Sequence, residues 1–113
     1  MDELAQTLAE LAAQYWKLCQ AYEHELAQNT SASAEAGAAQ LRFARSRLDT
    51  LLGRSDMELR TYDGAVWSAS LPPLAINAED FGAGTPVIAR TIEPTVLRQG
   101  SPLLPGKVLL GEG

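Results

Sequence analysis

An unbroken heptad pattern near the N-terminus constrains the fold more than any other feature of the sequence. Residues 2–28 contain neither glycine nor proline and are rich in Ala, Leu, Glu and Gln, which favour helix. Large apolar residues recur there at alternating spacings of four and three: Leu4, Leu8, Leu11, Tyr15, Leu18 and Tyr22. The pattern predicts a helix about 40 Å long with one narrow apolar seam. Such a seam needs a partner helix to be buried.

A second helix is predicted after a break in this phase. The positions that would continue the seam beyond Tyr22 are polar or small, and turn-forming residues follow at Asn29, Thr30, Ser31 and Ser33. A new apolar pattern then runs through Ala34, Leu41, Ala44, Leu48 and Leu51. Gly53 suits the end of a helix. We predict helices over about 2–28 and 34–52, joined as a hairpin. One continuous helix is the alternative, against which the phase break and Gly37 both argue.

The seam predicts self-association. Two helices leave more apolar surface than a thin hairpin can bury, so we expect a homodimer through a helical bundle. The expected interface consists of the six seam residues Leu4, Leu8, Leu11, Tyr15, Leu18 and Tyr22. The alternative is a monomer whose seam packs on its own second half.

The second half has the composition of a small β domain. All six prolines lie from Pro72 onward, so the helical region is assigned to residues 1–54 and the β domain to 55–113. Residues 57–62 and 65–70 flank Asp63-Gly64 and predict a hairpin. Further strands are predicted over 85–92, 95–98 and 103–110, the last with a Pro-Gly interruption. A turn is predicted at 99–101 and a loop at 77–84. The predicted fold class is therefore α+β, with an N-terminal helical hairpin or coiled coil forming a dimeric bundle before five to six short strands in a barrel or sandwich.

The charge of the chain argues against nucleic acid as its main partner. The formal net charge is −5, whereas phosphate binding requires clustered Lys and Arg. One basic segment contains Arg42, Arg45, Arg47 and Arg54. We expect these arginines to face the glutamates of the first helix, namely Glu10, Glu23 and Glu25. A nucleic-acid patch is the alternative.

The sequence offers no catalytic constellation, cofactor motif or metal site. The lone histidine, His24, lies in a polar part of the first helix, and Cys19 is expected to be a packing residue. Glu79 and Asp80 are expected in a solvated loop without metal-ligand partners. No apolar run is long enough to span a membrane, and the acidic N-terminus is unlike a secretory signal, so we expect a cytoplasmic protein without a membrane partner.

Four segments of the C-terminal half form a pattern in their order along the chain. The acidic stretch 79–85 (EDFGAGT) precedes a strand at 87–92, the turn Gln99-Gly100 follows, and 104–110 (LPGKVLL) is the last strand. In this order they resemble the GrpE family of nucleotide-exchange factors for DnaK-type chaperones. The likeness covers about residues 56–111, and the helical half resembles the family only in architecture. Glu93-Pro94, Leu104 and Ser101-Pro102 depart from the family pattern at polar positions of the chaperone-contacting region.

The resemblance implies a non-enzymatic co-chaperone that binds the ATPase domain of a DnaK-type chaperone and promotes nucleotide release. The residues it assigns to the partner-binding face are Arg90, Glu93, Leu97, Arg98 and Gln99. The alternative function is a structural adaptor that dimerises through its helices and binds another protein through its β domain. An enzyme would require a ligand pocket, and no residue pattern in the sequence indicates one.

Overall fold

The N-terminal half is a pair of antiparallel helices, which a computed structural model describes together with the strands that follow. The described residues are 3–29, 31–81 and 84–112, so Asp2, Thr30, Gly82 and Ala83 of the sequence predictions lie outside them. Helix α1 spans Glu3–Ala27 and helix α2 spans Ala32–Gly53. The Ser31 hydroxyl caps α2 by accepting the Ala34 amide. The predicted hairpin is confirmed, and a continuous helix is excluded.

Gly37 has a different role from the one the sequence indicated. It is buried within α2, where an added Cβ would collide with the Tyr22 hydroxyl and lie 3.0 Å from Leu26 Cδ2. Glycine there lets the two helices approach closely. The change in heptad phase and the cap at Ser31, rather than Gly37, account for the break between the helices.

The C-terminal half contains six short strands in two three-stranded sheets. The strands are β1 Met57–Arg60, β2 Leu74–Ala75, β3 Val87–Glu93, β4 Thr95–Arg98, β5 Ser101–Leu104 and β6 Lys107–Gly111. The first sheet has the order β1-β4-β5 and is antiparallel, whereas in the second, β2-β6-β3, only β2 runs parallel to its neighbour β6. The α+β layout is thereby confirmed.

Two chain segments pass from one sheet to the other side by side, since β3 pairs with β6 and β4 pairs with β5. Pro94 separates β3 from β4, and Pro105-Gly106 separates β5 from β6. Gly106 has a φ of 84°, and a Cβ on it would lie 2.8 Å from the Glu93 carbonyl oxygen. The Thr95 hydroxyl donates a 2.6 Å hydrogen bond to the Pro105 carbonyl at the same point. The predicted Pro-Gly interruption of the strand over 103–110 is confirmed, and it divides that segment into two strands, because the chain changes sheets there.

The predicted hairpin around Asp63-Gly64 is wrong. A turn does form, since the Ala65 amide bonds the Tyr62 carbonyl and Gly64 has a φ of 88°. However, β1 pairs with β4 rather than with residues 65–70. Of those residues, only Val66 forms a bridge, to Val87. The turn at Gln99-Gly100 is confirmed, with both φ angles positive, as a two-residue hairpin requires.

The hydrophobic core has two clusters. The first joins the helices to the first sheet: Ala5, Ala9, Ala12, Leu48, Leu52, Met57 and Val96. The second lies in the β domain around Ile88, Val108 and Leu110. The helical hairpin is therefore anchored to the β domain through the alanine face of α1.

Candidate interaction surface

Three leucines form an exposed stripe along α1. The exposed fractions of Leu4, Leu11 and Leu18 are 78%, 64% and 73%. They recur every seven residues, which keeps them on one face of the helix. The residues three positions beyond each leucine are all uncharged: Thr7, Gln14 and Ala21. We call Leu4, Leu11 and Leu18 the leucine stripe.

The other three seam residues contact their own chain. Leu8 and Tyr15 are half-buried and pack against the first core cluster. The Tyr15 hydroxyl donates a 2.9 Å hydrogen bond to the Ala44 carbonyl of α2. Tyr22 is 43% exposed, and its hydroxyl lies beside Gly37. The six seam residues therefore fall into two sets. Leu8, Tyr15 and Tyr22 contact their own chain, whereas the leucine stripe faces outward.

The face that α1 buries within the chain is one that the sequence reasoning missed. It consists of Ala5, Ala9, Ala12, Ala13 and Cys19, all at most 7% exposed. Its signal in the sequence is the set of small residues at helical spacing, which allow close approach of another element. The larger leucines mask this signal, because they dominate the heptad pattern.

The helical hairpin has one covered and one uncovered side. Trp16, Arg45 and Asp49 line a depression together with Leu59 and Thr61, so strand β1 and the residue after it border this side. On the other side Leu18 lies in an apolar groove between the helices, lined also by Tyr15, Cys19, Tyr22, Gln40, Leu41 and Ala44. The leucine stripe thus belongs to the side that no other element of the described chain covers.

The molecule exposes more surface than a monomer of its mass usually does. Its Cα atoms extend over 48 × 40 × 16 Å, and its accessible area is 7381 Å². A folded monomer of 12.1 kDa is expected to expose about 6,000 Å². The excess of roughly 1,400 Å² exceeds the ~800 Å² that each partner buries in a standard protein interface.

The proposed partner-binding residues of the β domain are not all accessible. Arg90 and Gln99 are exposed, and Arg98 is half-buried at the end of β4. Leu97, however, is only 4% exposed, because β4 is the central strand of its sheet and is covered on both faces. Leu97 is therefore a core residue, which corrects its assignment to the surface.

The remaining residue, Glu93, is engaged within the chain. Its carboxylate accepts a 3.2 Å hydrogen bond from the Lys17 ammonium of α1, an ion pair that ties the second sheet to the helix. Arg90 precedes it on β3 and lines a groove against α1 with Trp16 and Ile92. Arg90 and Glu93 lie in the second sheet, whereas Arg98 and the following turn belong to the first.

The basic segment of α2 pairs with α1 at one position. The Arg45 guanidinium lies 2.6 Å from the Glu23 carboxylate and also bonds the Gln20 side chain. The hydrogen bond from Arg45 lowers the pKa of Glu23. Arg42, Arg47 and Arg54 are exposed and form no ion pair with the described residues. The expected pairing with Glu10 and Glu25 is thus absent among them.

The groups with reactive side chains are dispersed. His24 is exposed and its ring Nε2 lies 3.0 Å from Gln28 Nε2. Burial raises the pKa of the Cys19 thiol, a smaller opposing effect coming from Arg45. Glu79 and Asp80 are exposed in a short 3₁₀ helix, Ala78–Phe81, rather than in a loop. Within residues 3–29, 31–81 and 84–112, no group of three or more His, Cys, Asp or Glu could hold a metal ion.

Comparison with known proteins identified no relative of this chain. The chain matched no protein-family model, no curated protein and no solved structure. None of the described helices is both long and apolar enough to cross a membrane. The function of the chain is therefore inferred from its exposed surfaces.

Proposed function

We propose that the protein is a non-enzymatic, GrpE-like co-chaperone that binds the ATPase domain of a DnaK-type chaperone and promotes nucleotide release. The observation that carries the proposal is the order of the parts. A helical pair with an exposed leucine stripe precedes a β domain of six short strands, and the turn at Gln99-Gly100 lies where the resemblance expects it. The chaperone is the proposed protein partner, and no cofactor is required.

The mechanism is a linkage between two ligands of the chaperone. A protein that binds the nucleotide-poor state of the ATPase domain more tightly than the nucleotide-bound state lowers the affinity for nucleotide by the same factor. This chain needs no catalytic group for that role. Arg90, Arg98 and Gln99 are the proposed contacts. Glu93 supports them through its ion pair with Lys17, which holds the second sheet against α1.

The self-association of the chain is part of the same proposal. The leucine stripe and the excess accessible area support a homodimer in which the uncovered side of the hairpin packs on a second copy. Light scattering should give twice the monomer mass. Leu11→Glu should dissociate the dimer, because it places a charge in an apolar interface. Leu74→Glu is the matched control, since Leu74 is 58% exposed in the β domain. A dimer that survives both Leu11→Glu and Leu18→Glu would locate the interface elsewhere.

Release of fluorescent ADP from DnaK-type chaperones tests the exchange function. The protein should accelerate release from its cognate chaperone, and Arg90→Ala should weaken the interaction about tenfold, as for a surface arginine that contributes ~1.4 kcal/mol. Arg42→Ala is the matched control, because Arg42 is an exposed arginine on α2, outside the β domain. Unchanged release with every candidate chaperone would refute the proposal.

An adaptor function is the second candidate, and one observation favours it. Leu74 is 58% and Ile76 is 54% exposed, and they are alternate residues along the outer edge of the second sheet, where β2 pairs only with β6. Exposed apolar side chains of this size are typical of protein-binding surfaces when they cluster. An adaptor predicts a stable complex in a pull-down that contains no ATPase. A complex lost on Leu74→Glu, with ADP release unaffected, would favour it over the co-chaperone.

A further inference from the structure

The uncovered side of the hairpin extends from the leucine stripe onto α2. Gln40 and Ala44 line the groove that contains Leu18, so the outward side of α2 at this level belongs to the same surface. Phe43, which is three residues after Gln40 and so lies on the same side of α2, is 72% exposed, and Leu51, seven residues after Ala44, is 40% exposed. The surface that a second copy must cover is therefore two helices wide.

The two helices carry opposite net charge. Helix α1 contains four glutamates and one lysine, for a formal charge of −3 with His24 neutral. Helix α2 contains three arginines, one glutamate and one aspartate, for a formal charge of +1. A symmetric dimer can place each α1 over the second copy's α1, or over its α2. At the 8–10 Å separation of packed helices, the first choice brings like charges together and the second brings opposite charges together.

We propose that the second copy packs with its α2 over α1 of the first, about a twofold axis parallel to the helices. The arrangement rests on the homodimer proposed above and defines its geometry. Each acidic α1 then lies between its own α2 and that of the second copy, so Arg47, which has no ion-pair partner within the described chain, faces an acidic helix. The surface is isologous, as a twofold dimer requires.

The arrangement assigns a contact to Phe43. A twofold axis parallel to the helices leaves residues of the two copies at equal levels along the bundle. Residues 40–44 of α2 lie beside residues 15–22 of α1, as the shared groove and the bond from Tyr15 to Ala44 establish. Phe43 of the second copy therefore packs on Leu18. These are two of the most exposed large apolar side chains of the hairpin.

Disulfide trapping tests this geometry. The native thiol is first removed as Cys19→Ser, and Leu18→Cys and Phe43→Cys are prepared on separate chains, which excludes a bond within one chain. Mixing the two variants under mild oxidation should give a covalent heterodimer, since facing residues come within the ~7 Å Cα separation that a disulfide requires. A mixture of Leu18→Cys and Leu4→Cys tests the alternative packing. The antiparallel packing of α1 on α1 brings those two positions together, whereas the proposed packing keeps them apart.

Salt provides a second readout that does not depend on cysteine variants. Screening opposite charges should raise the dissociation constant of the dimer about fivefold between ~0.05 M and ~0.5 M salt, whereas packing of α1 on α1 should tighten with salt. Preferential trapping of Leu4→Cys with Leu18→Cys, or tighter association in salt, would overturn the packing of α2 on α1. Neither result would contradict the homodimer itself. A monomer in light scattering would overturn both. The ADP-release assay reports separately on the exchange function.

Discussion

The close approach of the two chain segments between the sheets constrains Gly106. Its φ of 84° lies in the left-handed region, and an added Cβ would meet three backbone atoms: the Glu93 oxygen at 2.8 Å, the Pro94 carbonyl carbon at 2.9 Å and the Thr95 nitrogen at 2.9 Å. No side-chain rotation relieves contacts with backbone. The two segments must separate to accommodate Gly106→Ala.

Two costs combine in Gly106→Ala. A left-handed backbone costs an L-residue about 1–2 kcal/mol, and forcing extra atoms into a packed site costs about 1–3 kcal/mol. We expect a loss of about 3 kcal/mol in the free energy of unfolding, a large fraction of the ~5–15 kcal/mol typical of a domain. Gly100→Ala is the matched control. Gly100 has a φ of 83° but no atom within 4 Å of its added Cβ, so its cost should be only about 1–2 kcal/mol.

Urea unfolding followed by circular dichroism measures the difference. With a denaturant slope of about 1.5 kcal/mol per molar, Gly106→Ala should lower the midpoint by about 2 M and Gly100→Ala by about 1 M. Equal shifts for the two variants would refute the reasoning, because they would mean that the close approach of the segment 93–95 adds nothing to the cost of the backbone angle.

Three further predictions concern buried or paired groups. Thr95→Val should cost about 1–3 kcal/mol in the same urea assay, because it leaves the Pro105 carbonyl without the 2.6 Å bond. Arg45→Ala should cost less than about 1 kcal/mol, since the Glu23 side chain is 55% exposed. The pKa of Glu23 is lowered in the folded state, so this contribution is present above the ordinary carboxyl pKa near 4.3 and should vanish as the pH falls through the folded value. The Cys19 thiol, whose pKa burial raises, should react with a thiol reagent at least about tenfold more slowly than a free thiol until urea exposes it; equal rates would contradict its burial.

The helices could be predicted from the sequence because their signals are local. The described bounds Glu3–Ala27 and Ala32–Gly53 differ from the predicted ones by at most two residues at each end. A cap at Ser31 and the uninterrupted run of helix formers act within one or two turns. The predicted strand at 95–98 and the turn at Gln99-Gly100 were likewise found in place, since that hairpin is formed by residues close in sequence.

Strand pairing could not be predicted because the choice of partner is not local. The Asp63-Gly64 turn has the residues of a hairpin, yet β1 pairs with residues 95–98. Met57 and Val96 both belong to the core cluster that contains the alanines of α1, so tertiary packing decides this pairing. The burial of Leu97 has the same origin. Alternation along a strand indicates one exposed face only when a sheet is covered on one side.

The distribution of residue sizes on α1 argues for a second layer of helices. A monomeric helix that packs on its own domain gains most by burying its largest apolar side chains, since the hydrophobic contribution grows with the buried apolar area. This helix does the reverse, burying Ala5, Ala9 and Ala12 and exposing the leucine stripe. Alanine allows the helix to lie close to Leu48 and Leu52 of α2. Leucines at seven-residue spacing can instead pack as knobs into the holes between side chains of another helix. The two faces therefore differ in their contacts: the alanines fix the hairpin to the β domain, and the exposed leucines form the surface on which we propose that a second copy of the chain packs.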